Sequence, residues 1–139
     1  MNFQQVTRGV VSVNPEFAML CRGAKPEELE AMRVRHGPHA NAAIRIYMND
    51  PAATAFQKDA LVFPVGAVVV KQKTLRGSAD GVGGMVKRPP GYDPGHGDWE
   101  YFYFDDASKI ESGRISSCVQ CHDSARDRDH LFGTWREKR

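Results

Sequence analysis

The stretch Trp99-Glu100-Tyr101-Phe102-Tyr103-Phe104 decides how the chain folds. Five of its six residues are aromatic, with no Gly or Pro among them, so it reads as a β-strand. The polar, Pro- and Gly-rich run from Arg88 to Gly97 before it reads as a loop. Working back, Met85-Val86-Lys87 follows a Gly-rich turn expected at Gly81 to Gly84. Ala67 to Lys73 is a valine-rich strand. Ala40 to Met48 alternates partly, with Ile44, Ile46 and Tyr47, and is a further strand. Asn49-Asp50-Pro51 signals a helix start, placing a short helix over Ala52 to Lys58. Another short helix is expected over Lys25 to Met32, with Pro26 in its first turn, acidic residues against its dipole, and His36-Gly37-Pro38 ending it. Residues 1–25 read as a polar start and a short apolar patch, Phe17 to Cys21. The tail from Ala107 to Arg139 has helical stretches. The expectation is one domain over 1–139, mainly β (α+β): a small antiparallel sheet with short helices, burying one face.

Composition bounds the function. A chain of 139 residues fits one domain, and its 41% hydrophobic and 26% charged content is ordinary for a soluble protein. A net charge of +2 without a basic run gives no reason to expect nucleic-acid binding. No apolar stretch reaches the roughly 18 residues of a membrane span, and Leu61 to Val70 is interrupted by Pro64 and Gly66. Met1 to Val13 shows no secretory signal. The expectation is a mature form whose leader has been replaced by Met1.

The chemistry sits in Cys118-Val119-Gln120-Cys121-His122. Two cysteines three apart can each form a thioether to a haem vinyl, and the next residue then offers an imidazole to the iron. This is the pattern of c-type haem attachment. Two alternatives stand beside it. A zinc site would use Cys118, Cys121, His122 and a fourth ligand such as His130, but adjacent Cys121 and His122 suit one tetrahedral centre badly. A thioredoxin-like redox pair needs a preceding strand in a βαβ unit, and Glu111 to Ser117 does not read as one. Cys21 has no partner once two thiols hold haem, and its apolar neighbours make it a buried, inert thiol. A buried sheet face must cover something, and haem is the obvious candidate, with alternate residues of 67–73 and 99–104 packed on it.

The order Phe63-Pro-Val-Gly-Ala-Val-Val-Val-Lys71, Trp99 to Phe104, Cys118 to His122 and Asp129-His-Leu-Phe132 resembles cytochrome P-460, as do Ile44 to Tyr47 and Asp50-Pro51. The resemblance covers roughly residues 40–135. It implies a mainly β, homodimeric, periplasmic cytochrome with one covalent haem c per chain, an iron ligated by His122 and an open distal site. It implies a strand lysine cross-linked to the porphyrin, hydroxylamine as substrate and a redox-partner cytochrome. The sister cytochromes c′-beta lack the cross-link and bind nitric oxide.

Lys71 stands where the family's cross-linking lysine stands. An amine is a nucleophile only when deprotonated, and burial beside a haem favours that form. Lys73, two residues on and facing the same side, is the fallback. Arg45 matches a family arginine that would pair with a haem propionate or point into the pocket. The family's distal carboxylate, shortly before Gly-x-Trp, falls on Gly95 here. His96 beside it, or Asp93, would have to accept the proton instead. His36 and His39 read as loop structure, and His130 as packing near the haem edge. Met85 is the best candidate for a sixth ligand. Two functions stay open: oxidation of hydroxylamine or a related small nitrogen species, and nitric oxide binding or electron transfer without turnover.

Overall fold

The computed structural model describes residues 1–7, 11–13, 42–75, 78–104 and 110–132. The helix expected over 25–32, Cys21, His36 and His39 lie outside these. Among the described residues seven strands form one antiparallel sheet: β1 Phe3–Gln5, β2 Val11–Val13, β3 Ala42–Asn49, β4 Val68–Leu75, β5 Ser78–Lys87, β6 Trp99–Phe104 and β7 Ile110–Gly113. The order is β1-β3-β4-β5-β6-β7, with β2 pairing the first half of β3 while β1 pairs its end. Two short helices accompany it, α1 Asp50–Gln57 and α2 Ser116–His122, with 3-10 turns at Pro94–His96 and Asp123–Arg128. The mainly β sheet with short helices is as expected.

Alternation explains the core. Ile44, Ile46 and Met48 of β3 are buried, while Ala43, Arg45 and Tyr47 are half-buried on the other face. The register aligns Met48, Val69, Met85 and Tyr101 in one row across β3 to β6. Ile46, Lys71, Gly83 and Tyr103 form the next row on the same face. Trp99 and Met48 are fully buried there, each worth roughly 1.5–3 kcal/mol of apolar burial. Asn49 joins β3 to α1. Its Oδ1 accepts from Ala52 N, capping the helix, and from Val68 N, while its Nδ2 donates to Gly66 O.

Three expectations need correction. Gly81 to Gly84 form no turn but the middle of β5, with Val82, Gly83 and Gly84 laddered to both β4 and β6. The glycines make room for aromatic rings: a Cβ on Gly84 would run into the Phe102 ring and the Val69 carbonyl. The run from Glu111 contains a strand after all. Residues of β7 pair with Tyr101 to Phe104, held by the backbone ladder rather than by an apolar pattern. The polar start contains β1, whose three residues are all exposed, and β2.

Candidate haem site

A spacing of three places Cys118 and Cys121 one turn apart on α2. Both are half-buried and neither is in a disulfide. Cys118 and Val119 pack on the sheet core, which seats the helix against the inner face. His122 ends α2, and its Nδ1 donates to the His130 carbonyl at 2.6 Å, which leaves Nε2 as the nitrogen for a metal. Its ring stands between Tyr101 and Phe132, at 5.1 and 4.9 Å between centroids. Burial pushes its pKa down to about 4, aided by the charges of Lys71 and His130 and opposed by the hydrogen bond to the His130 carbonyl. The imidazole is therefore neutral near pH 7, as ligation requires.

Tyr101 is 2% exposed and its hydroxyl has no hydrogen-bond partner among the described residues. Burial first, and then the charges of Cys118, Asp123, Asp93 and Cys121, raise its pKa well above the ordinary tyrosine value. A protonated, buried, orphaned hydroxyl costs about 1–3 kcal/mol unless something meets it. Its place beside His122 and Cys118 suits a group carried on the two cysteines. Haem fits these residues on that ground and on the open Nε2.

Lys71 lies on the same sheet face, one row from Tyr101, and is close enough to depress the His122 pKa. Lys73, also inward, is 1% exposed with its Nζ 5.2 Å from the centre of the Tyr103 ring. Arg45 faces the opposite side of the sheet, cross-strand from Gln72, so it is not gathered with Lys71 and His122. Met85 is buried in the core row between Val69 and Tyr101. Asp93 is half-buried and within electrostatic range of the Tyr101 hydroxyl.

The His96 Nδ1 meets Asp123 Oδ1 at 2.8 Å, a partner the sequence reading missed. This bond, against some desolvation, holds the Asp123 carboxyl below its ordinary range. His130 is buried, with Nδ1 3.4 Å from the same oxygen but not aligned for a hydrogen bond. His130 thus acts through its carbonyl, and it is Phe132 whose ring packs on His122. Among the described residues no three His, Cys, Asp or Glu side chains converge on a metal position, which gives the zinc alternative no support. β7 does precede α2, but it pairs antiparallel with β6, so there is no βαβ unit among the described residues.

Fold and site define a small β-sheet protein with a Cys-x-x-Cys-His helix seated on the buried face. The profile of the cytochrome P460 family matches residues 25–133, and the chain belongs to that family, which makes it a haem cytochrome. No curated protein matches the chain. Among the described residues no helix is long and apolar enough to cross a membrane.

Proposed function

We propose that the chain is a periplasmic, homodimeric cytochrome with one haem c bound through Cys118 and Cys121. His122 ligates the iron and Lys71 is bonded to the porphyrin. In this reading it oxidises hydroxylamine or a related small nitrogen species and passes the electrons to a redox-partner cytochrome. The observation that carries the reading is the convergence of α2 and Lys71 on one sheet face around the orphaned Tyr101 hydroxyl. When bound, the haem supplies the redox chemistry. The chain supplies a neutral imidazole, aromatic walls and a lysine amine.

His96 is the proposed proton acceptor. Asp123 holds its Nδ1, which leaves Nε2 to take a proton. A second reading, nitric oxide binding or electron transfer without turnover, is favoured by one placement. His96 is tied to Asp123, the residue next to the His122 that would hold the iron, whereas a base for the substrate would have to stand clear of that ligand.

Acid-acetone extraction and intact mass test the first reading. Haem should stay with the chain, and the adduct should be lighter than simple thioether addition by the hydrogens lost on coupling. Lys71→Leu should restore the simple mass and an ordinary c-type spectrum. Haem released by extraction would overturn covalent attachment. Hydroxylamine turnover that falls roughly 10²–10⁴-fold in His96→Ala, with nitric oxide binding unchanged, would decide for the enzyme. A cross-linked protein without turnover at any pH would decide for the second reading.

A further inference from the structure

After α2 and its 3-10 turn the chain passes through a strap, residues 129–132. Asp129 and His130 are consecutive non-glycine residues in the left-handed region, with φ of 51° and 63°. Such backbone persists only where its surroundings impose it. Here Asp129 is held by four hydrogen bonds from three residues. Both of its carboxylate oxygens accept from Lys87 Nζ at 2.8 Å, and Oδ2 also accepts from Phe63 N at 2.8 Å. Its carbonyl accepts from Trp99 Nε1 at 2.8 Å, and the Lys87 Nζ lies 5.0 Å from the centre of the Trp99 ring. Lys87 and Asp129 are 7% and 8% exposed. The next residue, His130, turns its carbonyl to His122 Nδ1. Gly97, with φ of 74°, leaves the strap its room: a Cβ there would lie 2.6 Å from His130 Cδ2 and 3.1 Å from Asp129 Oδ1.

A buried ion pair is a poor way to gain stability, because apolar residues of similar volume often do as well. Its value here lies in what it fixes. An acceptor on the second nitrogen of a ligating histidine sets the tautomer, the ring orientation and the donor strength of the ligand. We propose that the Lys87–Asp129 pair is a positioning device for His122: by pinning the strap it holds the His130 carbonyl on Nδ1 and so tunes the imidazole toward the haem iron. This rests on the reading of His122 as the iron's protein ligand.

The test uses the haem-loaded full chain. Resonance Raman of the reduced protein gives the iron–histidine stretching band, and a redox titration gives the potential. Lys87→Met should lower the band frequency and raise the potential, because a weaker hydrogen bond makes the imidazole a weaker donor. Gly97→Ala should shift both in the same direction while leaving both charges in place. Lys87→Arg, which keeps a cation on Asp129, should stay close to wild type. If Lys87→Met does not fold, Gly97→Ala decides. A loss of thermal stability with band and potential unmoved would overturn the proposal and leave the pair holding only the fold. An iron–histidine band that survives His122→Ala in the haem-loaded chain would overturn the ligand reading instead.

Discussion

Lys71 and Lys87 lie on the same face of the sheet, on adjacent strands, and their surroundings differ sharply. Lys87 is sealed at one end of the face, its ammonium on both oxygens of Asp129 and against the Trp99 ring. Lys71 is half-buried, opposite Gly83 and near His122. The amine hydrogens of Lys87 are committed to a carboxylate, which suits a structural tie. Lys71 lies beside the cysteine helix and the orphaned Tyr101 hydroxyl, where a nucleophile can meet a bound group. One residue type on one face thus ties the strap in one place and stands beside the cysteine helix in another.

The largest effect should come from breaking the anchor. Lys87→Met leaves Asp129 buried without its cation, and removing one partner of a buried pair costs about 3–5 kcal/mol. Denaturant unfolding should show that loss. Lys71→Leu, by contrast, should stay within about 1 kcal/mol, because an inward strand position accepts Leu. Equal losses at the two lysines would erase the distinction.

Between the two lysines runs the glycine stretch of β5. Gly84→Ala should destabilise by roughly 1–3 kcal/mol, since its Cβ meets the Phe102 ring and a backbone carbonyl that cannot swing away. A neutral result would mean that the ring yields.

Tyr101→Phe sharpens the Lys71 side. In a haem-free Cys118→Ala/Cys121→Ala chain, the substitution should be neutral or slightly stabilising, because it removes an unpartnered buried hydroxyl. In the haem-loaded protein it should cost about 1 kcal/mol, if the bound group meets that hydroxyl. The same small effect in both forms would place the hydroxyl outside the haem site.

The smallest effect concerns pH. The His96 hydrogen bond keeps the Asp123 carboxyl below its ordinary value of 3.8. A carboxyl depressed in the folded state binds fewer protons there than in the unfolded chain. Its stabilisation is therefore full above that ordinary value and is lost as pH falls through the depressed one. Thermal melts of the wild type should fall more steeply below about pH 4 than those of Asp123→Asn. The solvent that reaches this half-buried carboxyl keeps the difference small.

What the sequence revealed follows from how local each signal is. The aromatic strand over 99–104 has its expected bounds, and α1 begins where Asn49-Asp50-Pro51 said it would. Both depend on neighbouring residues alone. The glycines of β5 misled because their meaning is set by rings on β6, across the sheet. The strand β7 was missed because its four residues carry no apolar alternation and exist as a strand only by pairing with β6. The cysteine pair and His122 were readable as a motif. The partners that orient the site were not: Asp129 meets Phe63, Lys87 and Trp99 across 66, 42 and 30 residues. A faint trace was present, since Lys87 sits two residues after Met85 and shares its inward phase.

Those separations also set an order in time. β3, α1, β4, β5 and β6 can all form before the strap has anything to grip, because Asp129 needs residues from the α1–β4 connection, β5 and β6 together. Long-range contacts of this kind are the slowest to close. If the strap latches after the sheet is complete, His122 gains the His130 carbonyl on its Nδ1 only at that last step. In folding kinetics the latch should show as φ-values near zero for substitutions at Asp129, with the loss appearing in the unfolding rate.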